Sequence, residues 1–277
     1  MNAERADAVI VGAGLAGSAA ARALVSRGRS VVLVEAFQPG HRRGSSHGSA
    51  RIFRRAYTDP FYVRLTGKAQ VLWRQLSDEA GEELVTTTGA VDYGLALPGK
   101  MYQILAGFGV PAELMKAEAA AERWPGISFG RDAVLYHPDG GVIDPERAMA
   151  AMRGIAAARG AQICYGSPVL RVEADDAGAT VHTADRSWRA PVVIVAAGAW
   201  LEPLLGGQVP LPPLVVTQTL DRGTHSACGR SASWPHTGRL SRSPRACNPA
   251  GTARTAAPPP GARRPGAGGG TCRRRRP

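Results

Sequence analysis

Short apolar runs alternate with helix-like segments at the start and at the end of the ordered-looking part of the chain. Between Val9 and Glu35 an apolar run, a glycine-rich turn, a small-residue helix and a second apolar run follow one another. This order predicts a parallel strand–helix–strand unit. The continuous apolar run Val192–Val195, which precedes Gly198, predicts a central parallel strand, so both ends of this region belong to one sheet.

The middle of the chain does not follow this alternation of strands and helices. Tyr62 to Leu76 has helical spacing and predicts a packed helix with Leu65, Ala69, Leu72 and Leu76 on one face. Residues 86–97 are predicted to be extended, and residues 101–108 and 113–123 to be short helices. The change of period indicates a second domain that is inserted into the first.

The alternating pattern returns at Asp144. This residue is a suitable N-cap, with Pro145 in the first helical position, and it opens an alanine-rich helix that ends at Gly160. A strand through Ile163 follows. Residues 169–174 and 180–183 flank the polar turn at 175–178 and predict a hairpin.

The turn between the first two strands carries the chemistry. Gly12 permits a tight turn, Gly14 lets backbone approach a pyrophosphate, and Gly17 lets the helix pack on the strand. The helix N-terminus favours anions, and Glu35 at the end of the second strand accepts hydrogen bonds from ribose hydroxyls. A carboxylate there repels a 2′-phosphate, which disfavours NADP. Two interpretations remain open, a dinucleotide site and a glycine turn that serves packing alone.

The net charge of +12 is concentrated in the tail. Residues 221–277 contain twelve Arg, no Lys and one acid, which accounts for all but one of the excess positive charges. They contain no Val, Ile, Phe, Tyr or Met, and therefore cannot build a core. One interpretation is a basic arm that binds nucleic acid, and the other is a shifted reading frame. The composition favours the shifted frame, because stray Trp and Cys remain while Val and Ile are absent.

Cysteine usage and hydropathy indicate a soluble protein of a reducing compartment. Cys164 is the only one of the four cysteines in the ordered-looking region, so no disulfide framework is available there, as expected in a reducing cytoplasm. No apolar run approaches membrane-spanning length, and we expect a soluble, cytoplasmic protein without a membrane partner. No Cys or His pair in this region has metal-ligand spacing, and no metal is predicted.

Residues 7–218 resemble the monomeric sarcosine oxidase and N-methyltryptophan oxidase group of the D-amino-acid-oxidase-like FAD-dependent superfamily. The segment from Gly44 to Arg54, with its Ser-His-Gly and Arg-Ile-Phe-Arg parts, is the most selective carrier of the resemblance. The other carriers are Val11-Gly12-Ala13-Gly14, Glu35-Ala36-Phe37, Arg123-Trp124-Pro125-Gly126-Ile127 and Gly198-Ala199-Trp200.

The resemblance implies roles for residues in these motifs. It places the catalytic residues His47 and Arg51 beside the isoalloxazine ring, and Arg54 at the substrate carboxylate. The residues that it implies bind FAD are Gly12, Gly14, Gly17, Glu35, Ser46 and Gly198. Taken without the resemblance, Arg51, Arg54 and Arg55 fit a solvated basic face, and His47 fits a loop residue satisfied by backbone. Trp124 and Trp200 are interpreted as core anchors, and the segment 137–141 as a turn.

The resemblance also implies a fold and an activity. The fold is α/β, a Rossmann-like FAD-binding domain over residues 1–84 and 144–218, with an incomplete inserted α+β substrate domain beginning at 85–143 and a disordered tail of non-native sequence at 219–277. The reaction is oxidation of the C–N bond of a secondary amine or N-methyl amino acid by O2, which gives an imine and H2O2. We expect a monomer.

The chain departs from this family in its second half. Family members are longer. Their second half holds a cysteine that attaches FAD, a lysine that activates oxygen and a second cation for the substrate carboxylate. None of these can be placed in this chain. We therefore expect little or no activity from the printed chain. Two alternatives stay open: an FAD-dependent amino acid dehydrogenase of the same superfamily, and a non-catalytic fragment whose basic tail binds nucleic acid.

Overall fold

The computed structural model describes residues 3–48 and 50–212. The predicted disordered tail at 219–277, the FAD-binding boundary at residue 218 and Ser49 lie outside the described residues. The strands are β1 (Glu4–Arg5), β2 (Ala8–Val11), β3 (Val31–Val34), β4 (Arg51–Phe53), β5 (Val85–Thr87), β6 (Ala90–Asp92), β7 (Glu113–Met115), β8 (Val134–His137), β9 (Gly141–Ile143), β10 (Gln162–Cys164), β11 (Arg171–Asp175), β12 (Gly178–His182), β13 (Ser187–Ala190) and β14 (Val192–Val195).

The helices connect these strands. They are α1 (Leu15–Val25), α2 (Pro60–Ala80), α3 (Pro98–Gly107), α4 (Ala117–Arg123), α5 (Pro145–Ala158) and α6 (Leu201–Leu205). Short 3-10 turns lie at Gly94–Ala96 and Gly198–Trp200. None of the helices in the described residues combines the length and the apolar character needed to cross a membrane.

A parallel sheet with the order β10-β3-β2-β14 forms the core of the molecule. Strands from both ends of the described region therefore pair directly, as the sequence predicts. On one face α1 and α5 cover Ile10 and Leu33, and on the other face the sheet β1-β13-β12-β11 buries Trp188 against valines of β2 and β3. The mixed α/β fold expected from the sequence is confirmed.

Two small antiparallel sheets occupy the middle of the chain. One has the order β4-β9-β5 and the other β6-β8-β7. The first sheet joins residues 51–53 to residues 85–87 and 141–143. The arginine-bearing segment after the loop at 41–50 is therefore fixed in a sheet.

Three local predictions are wrong. Glu113–Met115 is a strand rather than the start of a helix, because it pairs with β8. Leu65 and Leu72 of α2 are 48% and 57% exposed, whereas Leu76 is buried, so the predicted apolar face is only partly packed. Trp200 is 43% exposed and contacts Phe37 edge to face, so it is not a core anchor.

The position of β14 also differs from the prediction. It pairs with β2 in parallel, but within the described residues it lies at the edge of the sheet, and Val192 is 51% exposed. A continuous apolar run predicts burial without specifying which neighbours provide it. Here Val193 and Val195 of β14 pack on one face against the cluster that contains Val181 of β12 and Trp188 of β13.

Helix α5 begins where the sequence predicts. The Asp144 side chain accepts hydrogen bonds from the backbone N–H groups of Glu146 and Arg147, both at 3.0 Å, and Pro145 occupies the first turn. These bonds satisfy donors that have no partner within the helix. The chain leaves the helix at Gly160, whose φ of +92° favours glycine.

We expect Asp144→Ala to lower the free energy of unfolding by about 1 kcal/mol, because two capped N–H groups lose their acceptor. Asp144→Asn keeps a capping oxygen and should lose less. Urea unfolding followed by circular dichroism measures both changes. Equal stability of Asp144→Ala and the unaltered chain would contradict the capping role.

Candidate functional site

The turn after β2 requires glycine at its first position. Gly12 has φ +99°, and its N–H donates to Val34 O at 2.8 Å. A Cβ atom at Gly12 would lie 2.6 Å from Ala196 O, which belongs to the segment that follows β14. The backbones that leave β2 and β14 thus approach more closely than any side chain allows.

The next two glycines serve different contacts. A Cβ at Gly17 would lie 1.8 Å from Gly12 O, so only glycine lets the first turn of α1 rest on the loop. A Cβ at Gly14 would approach Ser46 Oγ to 3.3 Å. Gly17 is therefore required for packing of the helix, and a side chain at Gly14 would crowd Ser46, which lies at the helix N-terminus.

Ser46 lies at the N-terminus of α1. Its Oγ accepts a hydrogen bond from Leu15 N at 3.2 Å, whereas the N-cap residue Gly14 has no side chain for this purpose. The first turn of α1 contains no acidic residue. The Leu15 N–H is thus directed toward an oxygen acceptor, which is the property a phosphate site needs.

Glu35 is buried beneath the same turn. Its Oε2 accepts from Ala13 N at 2.6 Å, its Oε1 accepts from Phe37 N at 3.0 Å, and His41 Nε2 lies 3.7 Å from Oε1. The carboxylate thus braces the turn from the end of β3. Its role as a ribose acceptor stays a prediction, and the spare lone pairs of two carboxylate oxygens leave room for that role.

Side chains of His47 and Arg51 bind backbone oxygens of the described part of the loop, residues 41–48 and 50. His47 Nδ1 lies 2.7 Å from Gly44 O, and the Arg51 guanidinium donates to Ser45 O and Ala50 O at 2.7 Å and to His47 O at 2.5 Å. His47 and Arg51 thus lie together, and Arg51 stabilises the loop conformation. The positions of both residues beside a flavin ring stay a prediction.

Arg54 lies in a charged cluster that the sequence analysis missed. Its Nη1 is 3.3 Å from Asp92 Oδ1, and its Cζ lies 4.7 Å from the centre of the Tyr57 ring. The buried His137 Nε2 is 3.3 Å from Asp92 Oδ2. The sequence predicts a turn at 137–141, and in the structure His137 is the last residue of β8, directly before that turn. Asp92 gave no signal of its own, because its contact with Arg54 spans 38 residues.

The charge run at 51–55 predicts that Arg55 is solvated, but the structure buries most of its side chain. Its guanidinium is largely buried, donates to Gln70 Oε1 at 2.9 Å and lies 3.8 Å from Asp139 Oδ2. Burial lowers the pKa of Arg55, and the nearby Asp139 opposes that shift. Arg51, Arg54 and Arg55 therefore do not form one exposed face.

Gly198 lies at the carboxyl end of β14, next to the glycine turn. It has φ +55°, and the preceding Ala196 N donates to Val11 O at 2.8 Å. The structure therefore brings Gly198 to the same edge of the sheet as Gly12, which is where ligands bind to parallel sheets. Over residues 3–48 and 50–212, no cluster of His, Cys, Asp and Glu has the makeup of a metal site.

A comparison with protein families decides the class. The family described as FAD dependent oxidoreductase matches residues 7–259. The chain belongs to this family. The match passes Gln218, so the expectation that the resemblance ends there is too narrow, and the shifted frame stays a hypothesis.

Individual relatives of this FAD-dependent oxidoreductase have related names. Monomeric sarcosine oxidase of Streptomyces avermitilis is 35% identical over 205 residues, which are 72% of this chain and 53% of that protein. N-methyl-L-tryptophan oxidase of Yersinia pestis is 30% identical over 236 residues, or 83% and 62%. The chain thus spans little more than half the length of these relatives.

A solved structure gives the same answer for the fold. The open form of NikD, an unusual amino acid oxidase essential for nikkomycin biosynthesis, is similar with a TM-score of 0.66 and 29% identity. The similarity covers 73% of this chain and 53% of that one. Both comparisons place the chain among FAD-dependent oxidoreductases, and the resemblance stated from sequence is confirmed.

The residues present fit the cofactor of the family. A Cβ at Gly14 would crowd Ser46 Oγ, the Leu15 N–H at the start of α1 is directed toward an oxygen acceptor, and Glu35 binds the turn from the end of β3. These are the features that an adenine dinucleotide requires of a strand–turn–helix unit. FAD is thus the cofactor of the family, and the turn has the shape to hold it.

We expect Gly17→Ala to lower the free energy of unfolding by about 1 to 3 kcal/mol, because its Cβ overlaps Gly12 O. Gly154→Ala on α5 is the matched control, since no atom lies within 4 Å of its Cβ position. That control should gain up to about 1 kcal/mol from helix propensity. Urea midpoints of the two variants that move in the same direction would contradict this account.

Proposed function

We propose that the chain supplies the FAD-binding part of an enzyme that oxidises the C–N bond of a small secondary amine or N-methyl amino acid. O2 takes up the electrons, and the products are an imine and H2O2. Bound FAD supplies the acceptor for a hydride. The observation that carries the proposal is the glycine turn on α1, closed by Glu35 and faced by the loop with His47 and Arg51.

In this proposal Arg54 binds the substrate carboxylate. A guanidinium carries five N–H donors, and the contact with Asp92 Oδ1 uses Nη1 alone. Asp92 and the Tyr57 ring hold the group in one orientation, which reduces the entropy lost when a carboxylate binds. Arg54 then orients the amine, so that the carbon attached to nitrogen faces the flavin.

His47 and Arg51 serve the flavin side of the site in this proposal. Arg51 is fixed by three backbone carbonyls, and therefore brings a positive charge that needs no rearrangement during the reaction. His47 is oriented by Gly44 O through Nδ1, which leaves Nε2 as the ring atom for a hydrogen bond to a ligand.

The primary test combines cofactor binding with turnover. We expect the purified chain to bind FAD with quenching of flavin fluorescence, and an N-methyl amino acid such as sarcosine to bleach the bound flavin little or not at all under anaerobic conditions. Coupled peroxide detection then measures turnover in air. Reduction of an artificial dye without oxygen uptake would favour a dehydrogenase instead.

The outcomes of this test separate the claims. Failure to bind FAD would overturn the proposed function. Bound FAD that no amine bleaches would agree with the expectation of little activity, whereas rapid bleaching with peroxide formation would contradict that expectation and support the proposed reaction. Salt-sensitive binding of nucleic acid by the FAD-free chain would support the non-catalytic alternative.

We expect Arg54→Met to weaken sarcosine binding to the FAD-loaded chain by about tenfold to a hundredfold, since a charged hydrogen bond is lost. Binding of dimethylamine, which lacks the carboxylate, should change much less. Arg64→Met is the control, because Arg64 lies on α2 with its guanidinium over the Phe108 ring. Titration of the flavin absorbance measures all three. An equal loss for both amines would contradict carboxylate binding by Arg54.

A further inference from the structure

Three side chains converge on the backbone of Ala13, inside the glycine turn. Ala13 N–H donates to Glu35 Oε2 at 2.6 Å. Ala13 O accepts from Ser18 Oγ at 2.9 Å and from Arg153 Nη1 at 3.0 Å. The last contact is the least expected, because Arg153 lies on α5 and 140 residues away in sequence.

These contacts fix the peptide plane that joins Ala13 to Gly14. In a trans peptide the C=O and N–H bonds point in opposite directions. Since Arg153 and Ser18 hold Ala13 O on one side, the Gly14 N–H is directed to the other side. No acceptor for Gly14 N–H occurs among residues 3–48 and 50–212, so this donor is free to meet a ligand.

Arg153 differs from the other arginines of its helix region. Arg147 pairs with Glu82 at 2.6 Å, and Arg159 pairs with Glu79. Within the described residues Arg153 has no acidic partner, and its side chain is partly buried at a neutral carbonyl oxygen. An unpaired cation in such a position raises the local positive potential, which favours an anion at the N-terminus of α1.

We propose that Arg153 is a positioning residue for the pyrophosphate of FAD. It acts through Ala13 O, by holding the Gly14 N–H toward the phosphates and by adding its charge to the same region. This inference rests on the proposed function, in which the glycine turn holds FAD. It adds a residue of α5, outside every motif of the sequence analysis, to the cofactor site.

Packing between the two helices does not need this guanidinium. Helices α1 and α5 already meet through Ala21, Val25 and Ala156, which are buried in one cluster with Ile10 and Leu33. Loss of Arg153 therefore removes a hydrogen bond and a charge from the turn, while the apolar contact remains. The effect on cofactor affinity should exceed the effect on folding.

The test compares FAD and ADP affinity with the stability of the apo chain. We expect Arg153→Met to raise the Kd of both FAD and ADP by about tenfold, which is the loss of one charged hydrogen bond. Arg153→Lys keeps the charge and should recover part of the affinity. Arg147→Met, on the same helix, should bind both probes as the unaltered chain does. Fluorescence titration measures FAD, calorimetry measures ADP, and urea midpoints report folding.

Each result has one meaning. A larger Kd for Arg153→Met with an unchanged urea midpoint supports the proposal, and partial recovery in Arg153→Lys supports it further. Equal affinities of Arg153→Met and Arg147→Met would overturn it, while leaving the proposed function intact. A loss of affinity that merely follows a lower urea midpoint would also overturn it. If the unaltered chain binds neither FAD nor ADP, the proposed function fails and this inference fails with it.

Discussion

The structure depends on the close approach of α1 to the carboxyl ends of β2 and β14. Gly12 and Gly17 meet there at distances that leave no room for a Cβ atom, and Ala196 O borders the same space. Because α1 packs so closely on the sheet, its first N–H groups face the same sheet edge at which Glu35 and Gly198 lie. Packing therefore requires glycine at Gly12 and Gly17, and the proposed cofactor site makes the same requirement.

A second constraint is the orientation of backbone peptide groups, which hydrogen bonds from side chains fix. Glu35 holds Ala13 N–H, while Ser18 and Arg153 hold Ala13 O, so the turn is anchored from β3, from α1 and from α5. The loop at 41–50 follows the same principle, since Arg51 is bound to three carbonyl oxygens of its own segment. In both places a charged side chain fixes the conformation of the backbone.

The cluster of Arg54, Asp92 and His137 shows how tertiary contacts change the chemistry of a residue. A free guanidinium would be a general carboxylate site, but Asp92 takes one of its donors and Tyr57 covers its face. Asp92 is itself shared with the buried His137. The properties of Arg54 thus depend on β6 and β8, which belong to a different sheet from β4, the strand that precedes Arg54.

The sequence by itself determined the parts of this protein whose physics is local. The glycine turn, the Asp144 cap, the hairpin at 171–182 and the parallel pairing of the two ends follow from φ requirements, capping and period, which act over a few residues. The tertiary structure alone decided that β14 lies at an edge within the described residues, that Leu65 and Leu72 are exposed, and that Asp92 and Arg153 reach Arg54 and Ala13. Those contacts join residues distant in sequence, and no local pattern of polarity encodes which distant partner a surface or a charge will meet.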